Sequence, residues 1–195
     1  MKSTVYELNT NAGSLEVLLK ESEKTASYAN LNKQQTRELR LLAEELIGML
    51  PELLSFNKGQ FWIECEGSSV ELHISLVPHD NLTAEKREKI LSLSSDGKNA
   101  AAAGIMSKIK IAAEFMLIDY ENSLANAPSF VTFGSGVGNN SHSGSWTLNN
   151  YRAKAKEDQD EKWDELEKSI IANIADDVIV GLRESKLEIT VKKAF

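Results

Sequence analysis

Two adjacent carboxylates, Glu44 and Glu45, stand in the segment LLAEELIGML, whose apolar residues recur at helical spacing. A carboxylate held on a helix can act as a general base or orient an attacking hydroxyl; such a pair is more often a solvated helix flank. Further along, Asp80 and Asn81 in LVPHDNLT place a carboxylate beside an amide. Together they can meet a ligand's amino group or simply build a turn. Lys98, Gly104 and Lys108 belong to DGKNAAAAGIMSKIKIAAEFML, a loop of small residues that runs into an apolar helix. The first amides of a helix lack intrahelical partners, so small residues there let the backbone approach a phosphate, and the two lysines would add positive charge. Ala100 to Ala103 would also serve as a first helical turn, alanine being the best helix former.

Other chemistries find less support. The GSGVG run at Gly134–Gly138 follows a strand-like piece, but the dinucleotide-loop spacing needs glycine at Asn139, and NNSHSGS does not continue as a helix. His73, His79 and His142 are scattered without metal-ligand spacing. No nucleophile-elbow sequence accompanies the serines. The lone Cys65 excludes an intrachain disulfide and a multi-cysteine zinc site, and its setting in FWIECEG predicts a packed, unreactive thiol.

The elements that would carry these groups can be read in order. TVYEL at residues 4–8 reads as a strand with Val5 and Leu8 candidates for burial. A helix follows with Leu15, Leu18, Leu19, Ser22 and Ala26 on one face, capped by Ser14 or Asn11. A second helix runs from about Lys33 to Leu54, carrying Leu39, Leu42, Ala43, Leu46, Ile47, Leu50 and Leu54 on one face, with Pro51 kinking or stopping its last turn. FWIECE and SVELHISLV flank Gly67-Ser68-Ser69 and predict a hairpin, with Val70, Leu72, Ile74 and Leu76 on one side and Glu71, His73 and Ser75 on the other. SFVTFGSG and SGSWTLNNY predict a second hairpin around a long glycine-rich tip. KAKEDQDEKWDELEK opens a long helix with Trp163, Leu166, Ile170, Ile174 and Val178 as its apolar stripe. Leu187, Ile189 and Val191 alternate in a final strand.

This order, with its landmarks, resembles the Bergerat-fold ATPases, in which histidine-kinase ATP-binding domains and anti-sigma-factor kinases are grouped; the two helices before the first hairpin look more like the anti-sigma branch. The resemblance implies a two-layer α+β sandwich, a mixed and mostly antiparallel sheet covered on one face by helices. It implies ATP as the ligand, with Glu44 or Glu45 as the base, Asp80 and Asn81 at the adenine, and Lys98, Gly104 and Lys108 at the phosphates. The family's magnesium ligand is an asparagine four residues after the helix glutamate; here Gly48 and Met49 follow at that distance from Glu44 and Glu45. Neither side chain offers oxygen to a hard cation, so Mg2+ is poorly provided for. Leu82 stands for the first glycine after the adenine-reading aspartate, and Ala101 and Ala103 for lid glycines. Phosphoryl transfer is therefore expected to be impaired. The resemblance covers about residues 1–153, leaving a C-terminal helix and strand at 154–195 to pack on the same unit.

The 195 residues suffice for one domain with a sizeable core, and 42% hydrophobic with 26% charged residues are ordinary for a globular chain. A net charge of −7 argues against nonspecific nucleic-acid binding, which needs clustered cations. No apolar run approaches the roughly 20 residues that span a bilayer, and MKSTVYELNT lacks a signal-peptide layout, so a cytoplasmic location is expected. Two functional classes remain: a divergent regulatory ATP-binding protein with a protein partner, or a non-catalytic interaction module of the same fold. A homodimer is compatible with either.

Overall fold

The computed structural model describes residues 1–9, 15–53, 56–78, 104–118, 145–158, 166, 169–183 and 186–195. The chain begins with β1 (Tyr6–Asn9), α1 (Leu15–Tyr28) and α2 (Lys33–Gly48), followed by a 3-10 turn at Leu50–Glu52. The long strands β2 (Phe56–Glu66) and β3 (Ser69–Pro78) come next, then α3 (Gly104–Ile118). The two-residue β4 (Trp146–Thr147) leads directly into α4 (Leu148–Asp158). A short α5 (Ile170–Ile174), β5 (Asp177–Arg183) and β6 (Lys186–Ala194) complete the chain.

The six described strands form one sheet in the order β1-β2-β3-β6-β5-β4. The antiparallel majority expected from the sequence extends to each described pairing. Period-two alternation explains the layering. Phe61, Ile74, Ile189, Val180 and Trp146 lie in cross-strand register, and all are buried on the face that the helices cover. Ile63, Leu72, Val191 and Val178 form the next buried row. Trp62, His73, Thr190 and Ile179 make up a half-buried row on the opposite face.

On that second face, Glu64 and Glu71 stand directly opposite each other, a like-charge pairing that the flanking lysines offset. Lys2 Nζ lies 3.0 Å from Glu64 and Lys192 Nζ 3.1 Å from Glu71. The Lys2 contact, with the Trp62 indole N–H donating to Glu64, holds the Glu64 carboxyl below the usual carboxylate range. The Trp62 and His73 rings stack with centroids 4.9 Å apart. Burial pushes the His73 imidazole pKa below its ordinary value, outweighing the upward pull of Glu64 and Glu71.

Local chemistry accounts for the boundaries. Asn32 caps α2: its side chain accepts from the amides of Gln34 and Gln35, while the Gln35 side chain accepts from the Asn32 amide. The helix stops at Gly48, short of the expected Leu54. Glycine is a poor helix former, and Pro51, which has no N–H to donate, falls inside the 3-10 turn that follows. Leu39, Leu42, Ala43, Leu46 and Ile47 are buried as the periodicity predicts. Gly67, at φ 60°, takes the left-handed backbone that the tight β2–β3 turn requires. Of the two residues proposed for burial in the first strand, Leu8 is buried and Val5 is exposed.

Two expectations for the C-terminal part are overturned. SGSWTLNNY does not continue as a strand: among its described residues Trp146 and Thr147 pair with β5, and a helix begins at Leu148. Thr147 Oγ1 accepts from the Asn150 amide and Asp177 Oδ1 from the Asn149 amide, so two of the orphan donors of α4 are satisfied there. The long helix through Val178 is also broken. Ser169 is extended and caps α5 through the Ala172 amide, Ala175 ends that helix, and Val178 faces the core from β5. Residues 177–194 are not added outside the fold; β6 runs between β3 and β5 in the interior of the sheet. SFVTFGSG, the GSGVG run, Trp163, Ser14, Asn11, His79 and His142 lie outside the described residues.

Candidate functional site

The outer edge of α2 carries Leu41, Glu44, Glu45 and Gly48, spaced i, i+3, i+4 and i+7 and therefore on one face of the helix. This face does not join the core. It forms one wall of a cleft of about 580 Å³, which Met49 extends at the end of the helix. The opposite wall comes from the first half of α3. Ile105, Ile109, Ala112, Ala113 and Met116 bury the inward stripe of α3, which leaves Met106, Ser107 and Lys110 to face the cleft. Ile170, the first residue of α5, closes a third side.

Each wall has a distinct chemistry. The α2 wall presents the two carboxylates, with Glu44 exposed and Glu45 half-buried. The α3 wall presents the Ser107 hydroxyl and the Lys110 ammonium from the first half of a 15-residue helix, whose N-terminal dipole favours negative charge. Leu41, Met49, Met106 and Ile170 supply the apolar surface between them. At Gly48 a side chain is simply missing: a Cβ built there meets nothing within 4 Å. No turn or close packing requires glycine at that point.

The groups picked from the sequence divide accordingly. Glu44 and Glu45 share the cleft with Gly48 and Met49, and Gly104 opens the helix of the facing wall. Lys108 points elsewhere. It is 5% exposed, and its Nζ lies 5.2 Å from the centroid of the Tyr151 ring, between α3 and α4. Among the described residues, the lysine that lines the cleft is Lys110. Asp80, Asn81 and Lys98 lie outside the described residues. Met106, Ser107 and Lys110 could have been separated from the buried positions of α3 by helical periodicity alone. Ile170 could not, because its place in the cleft depends on how α5 packs.

Among the described residues no group of three or more His, Cys, Asp or Glu side chains is arranged to hold a metal ion. Among the described residues the cleft offers a cation the Glu44 and Glu45 carboxylates and the Ser107 hydroxyl, and Gly48 supplies no side-chain oxygen. Cys65 is buried in the sheet. No helix among the described residues is long and apolar enough to cross a membrane. Neither protein-family models, curated proteins nor solved structures provide a match to this chain.

Proposed function

We propose that the α2–α3 cleft binds a nucleoside phosphate, ATP, and that the chain is a regulatory ATP-binding protein of the anti-sigma or histidine-kinase type whose phosphoryl transfer is impaired. One observation carries this reading: a single cleft gathers the α2 carboxylates and the N-terminal half of α3, the two places where the family resemblance implies the base and the phosphate end. Its volume, about 580 Å³, falls in the range of small-molecule sites. In this reading Lys110 and the first turn of α3 hold the phosphates, and Leu41, Met49, Met106 and Ile170 provide apolar contact. Glu44 or Glu45 is the base in reach of the nucleotide. Transfer is weak because Gly48 replaces a metal ligand, which leaves developing phosphoryl charge to Lys110 and backbone amides.

Calorimetric titration of the full chain with ATP and magnesium tests the proposal, repeated on Lys110→Met. Binding in the micromolar to millimolar range that weakens about tenfold or more in the variant supports it, a loss in line with one charge-assisted contact. No heat from the parent protein at millimolar ATP refutes it.

A second reading rests on Leu41 and Ile170, which are 38% and 43% exposed beside the cleft. With Met49 and Met106 they would accept an apolar side chain from a protein partner, and adaptable methionines suit such a contact. That is the interaction-module alternative. It is favoured if Lys110→Met leaves partner binding unchanged while Leu41→Asp abolishes it.

A further inference from the structure

We infer that Arg152, which does not line the cleft, is a positioning residue for it and acts through α5. The inference rests on the cleft being the ligand site. Ile170 forms the third side of the cleft from a helix of five residues, too short to hold itself in place. Its N-terminal turn is tied by the Ser169 cap, and its buried residues are Ile171 and Ala172. The opposite end is held from α4. The Arg152 guanidinium donates to the carbonyls of Ala172, Ala175 and Asp176, the last two at 2.9 and 2.8 Å. The same side chain donates to Asn149 Oδ1 at 3.1 Å, which orients the fork.

One planar group thus satisfies carbonyls at the open C-terminal end of α5, where cations are favoured. The Arg152 anchor is in turn built into the sheet. Asn149, in the first turn of α4, donates its amide to Asp177 at the start of β5, and Asp176 accepts from the amide of Ala194 at the end of β6. Rigid elements therefore fix the guanidinium, and the guanidinium fixes the peptide that presents Ile170. A guanidinium can serve three carbonyls at once with fixed geometry. A lysine ammonium has no such fork and can hold the segment only in part.

The experiment has two independent readouts on Arg152→Gln, Arg152→Lys, Ile170→Ala and the Arg152→Gln/Ile170→Ala double variant. Ligand-free hydrogen exchange follows the Asn173 and Ala175 amides, which donate to Ser169 and Ile171. Calorimetry follows ATP affinity. For Arg152→Gln the expected results are α5 exchange at least tenfold faster, unchanged exchange in β2 and β3, and ATP binding about tenfold weaker; Arg152→Lys falls in between. In the Ile170→Ala background the further loss of affinity from Arg152→Gln falls below about twofold, the non-additivity of residues acting through one element. Unchanged α5 exchange overturns the positioning role whatever the ligand does. An affinity loss that adds fully to that of Ile170→Ala overturns the route through α5. If the parent protein binds no ATP, the nucleotide reading falls alone, and the exchange data still decide whether Arg152 holds the wall.

Discussion

Gly48→Asn puts the functional reading at greatest risk. Position 48 is the last residue of α2, it does not take positive φ, and a Cβ there meets nothing within 4 Å. The new side chain therefore enters without a packing cost, and leaving glycine gains a few tenths of a kcal/mol in helix propensity. It emerges into the cleft one turn beyond Glu44, among the residues that include Ser107 and Lys110. If a nucleotide carries its cation against that wall, the amide oxygen becomes an additional hard ligand. One charge-assisted contact of about 1.5–3 kcal/mol corresponds to roughly 10- to 100-fold in affinity. The assay is ATP titration in magnesium and again in chelator, on the parent, Gly48→Asn and Gly48→Ala. The alanine variant should gain about 0.5–1 kcal/mol in stability and no metal dependence. The asparagine variant should bind at least tenfold tighter in magnesium than in chelator. Should both variants titrate like the parent in each condition, the phosphate–metal end of a nucleotide is not beside position 48, and the assignment of the α2 wall fails.

Three further outcomes follow from the geometry. In Gly59→Ala the added Cβ would stand 2.5 Å from Leu76 Cδ2 and 2.8 Å from the Ser75 carbonyl oxygen, and a backbone oxygen in a paired strand has little room to yield. A loss of about 1–3 kcal/mol by urea denaturation is expected, and an unchanged midpoint would contradict the register. His73 carries a lowered pKa because burial disfavours its charged form, with Glu64, Glu71, Lys2 and Lys192 as the charges around it. The unfolded chain then binds the extra proton first, so this contribution to stability is complete above about pH 6.5 and is lost as pH falls through the folded-state value. His73→Gln should flatten the stability profile between pH 7 and 5, leaving the Glu64 contribution to fade at lower pH; an unchanged slope refutes the assignment. Truncation after residue 153 removes β5 and β6, which leaves β3 paired with β2 alone and strips one edge of its sheet, and should abolish cooperative unfolding by circular dichroism.

The parts of the fold legible in the sequence are those where burial and period coincide. Val70, Leu72, Ile74 and Leu76 alternate because one sheet face is covered, and Leu39, Leu42, Ala43, Leu46 and Ile47 recur because one helix face is. Gly67 marks its turn through a backbone conformation that side chains resist. The stripe from Trp163 to Val178 misled because its spacing fits a helix equally well when the chain turns. Ile170 and Ile174 belong to a short helix, whereas Val178 alternates with Val180 in a strand. Period alone cannot separate these cases over so few residues. Capping residues carried the missing signal: Ser169 accepts an amide at the start of α5, and the Arg152 fork closes its end.

The same distinction explains why Lys110 rather than Lys108 reaches the cleft. Both lysines lie in one turn of α3, and charge alone favours either as a phosphate contact. Ile105, Ile109, Ala112 and Met116 define the inward stripe, and Lys108 falls on its edge. Its long stem can follow that apolar surface while the ammonium meets the face of Tyr151, a contact that offsets part of the desolvation. Tyr151 is in α4, far along the chain, so the sequence around α3 gives no warning that a cation will be welcome inside. Lys110, two residues later and turned by about 200° around the helix axis, lines the cleft with the carboxylates of α2. A candidate site residue on a helix is thus decided by two facts, the face it occupies and what waits on the other side, and local sequence contains the first of these.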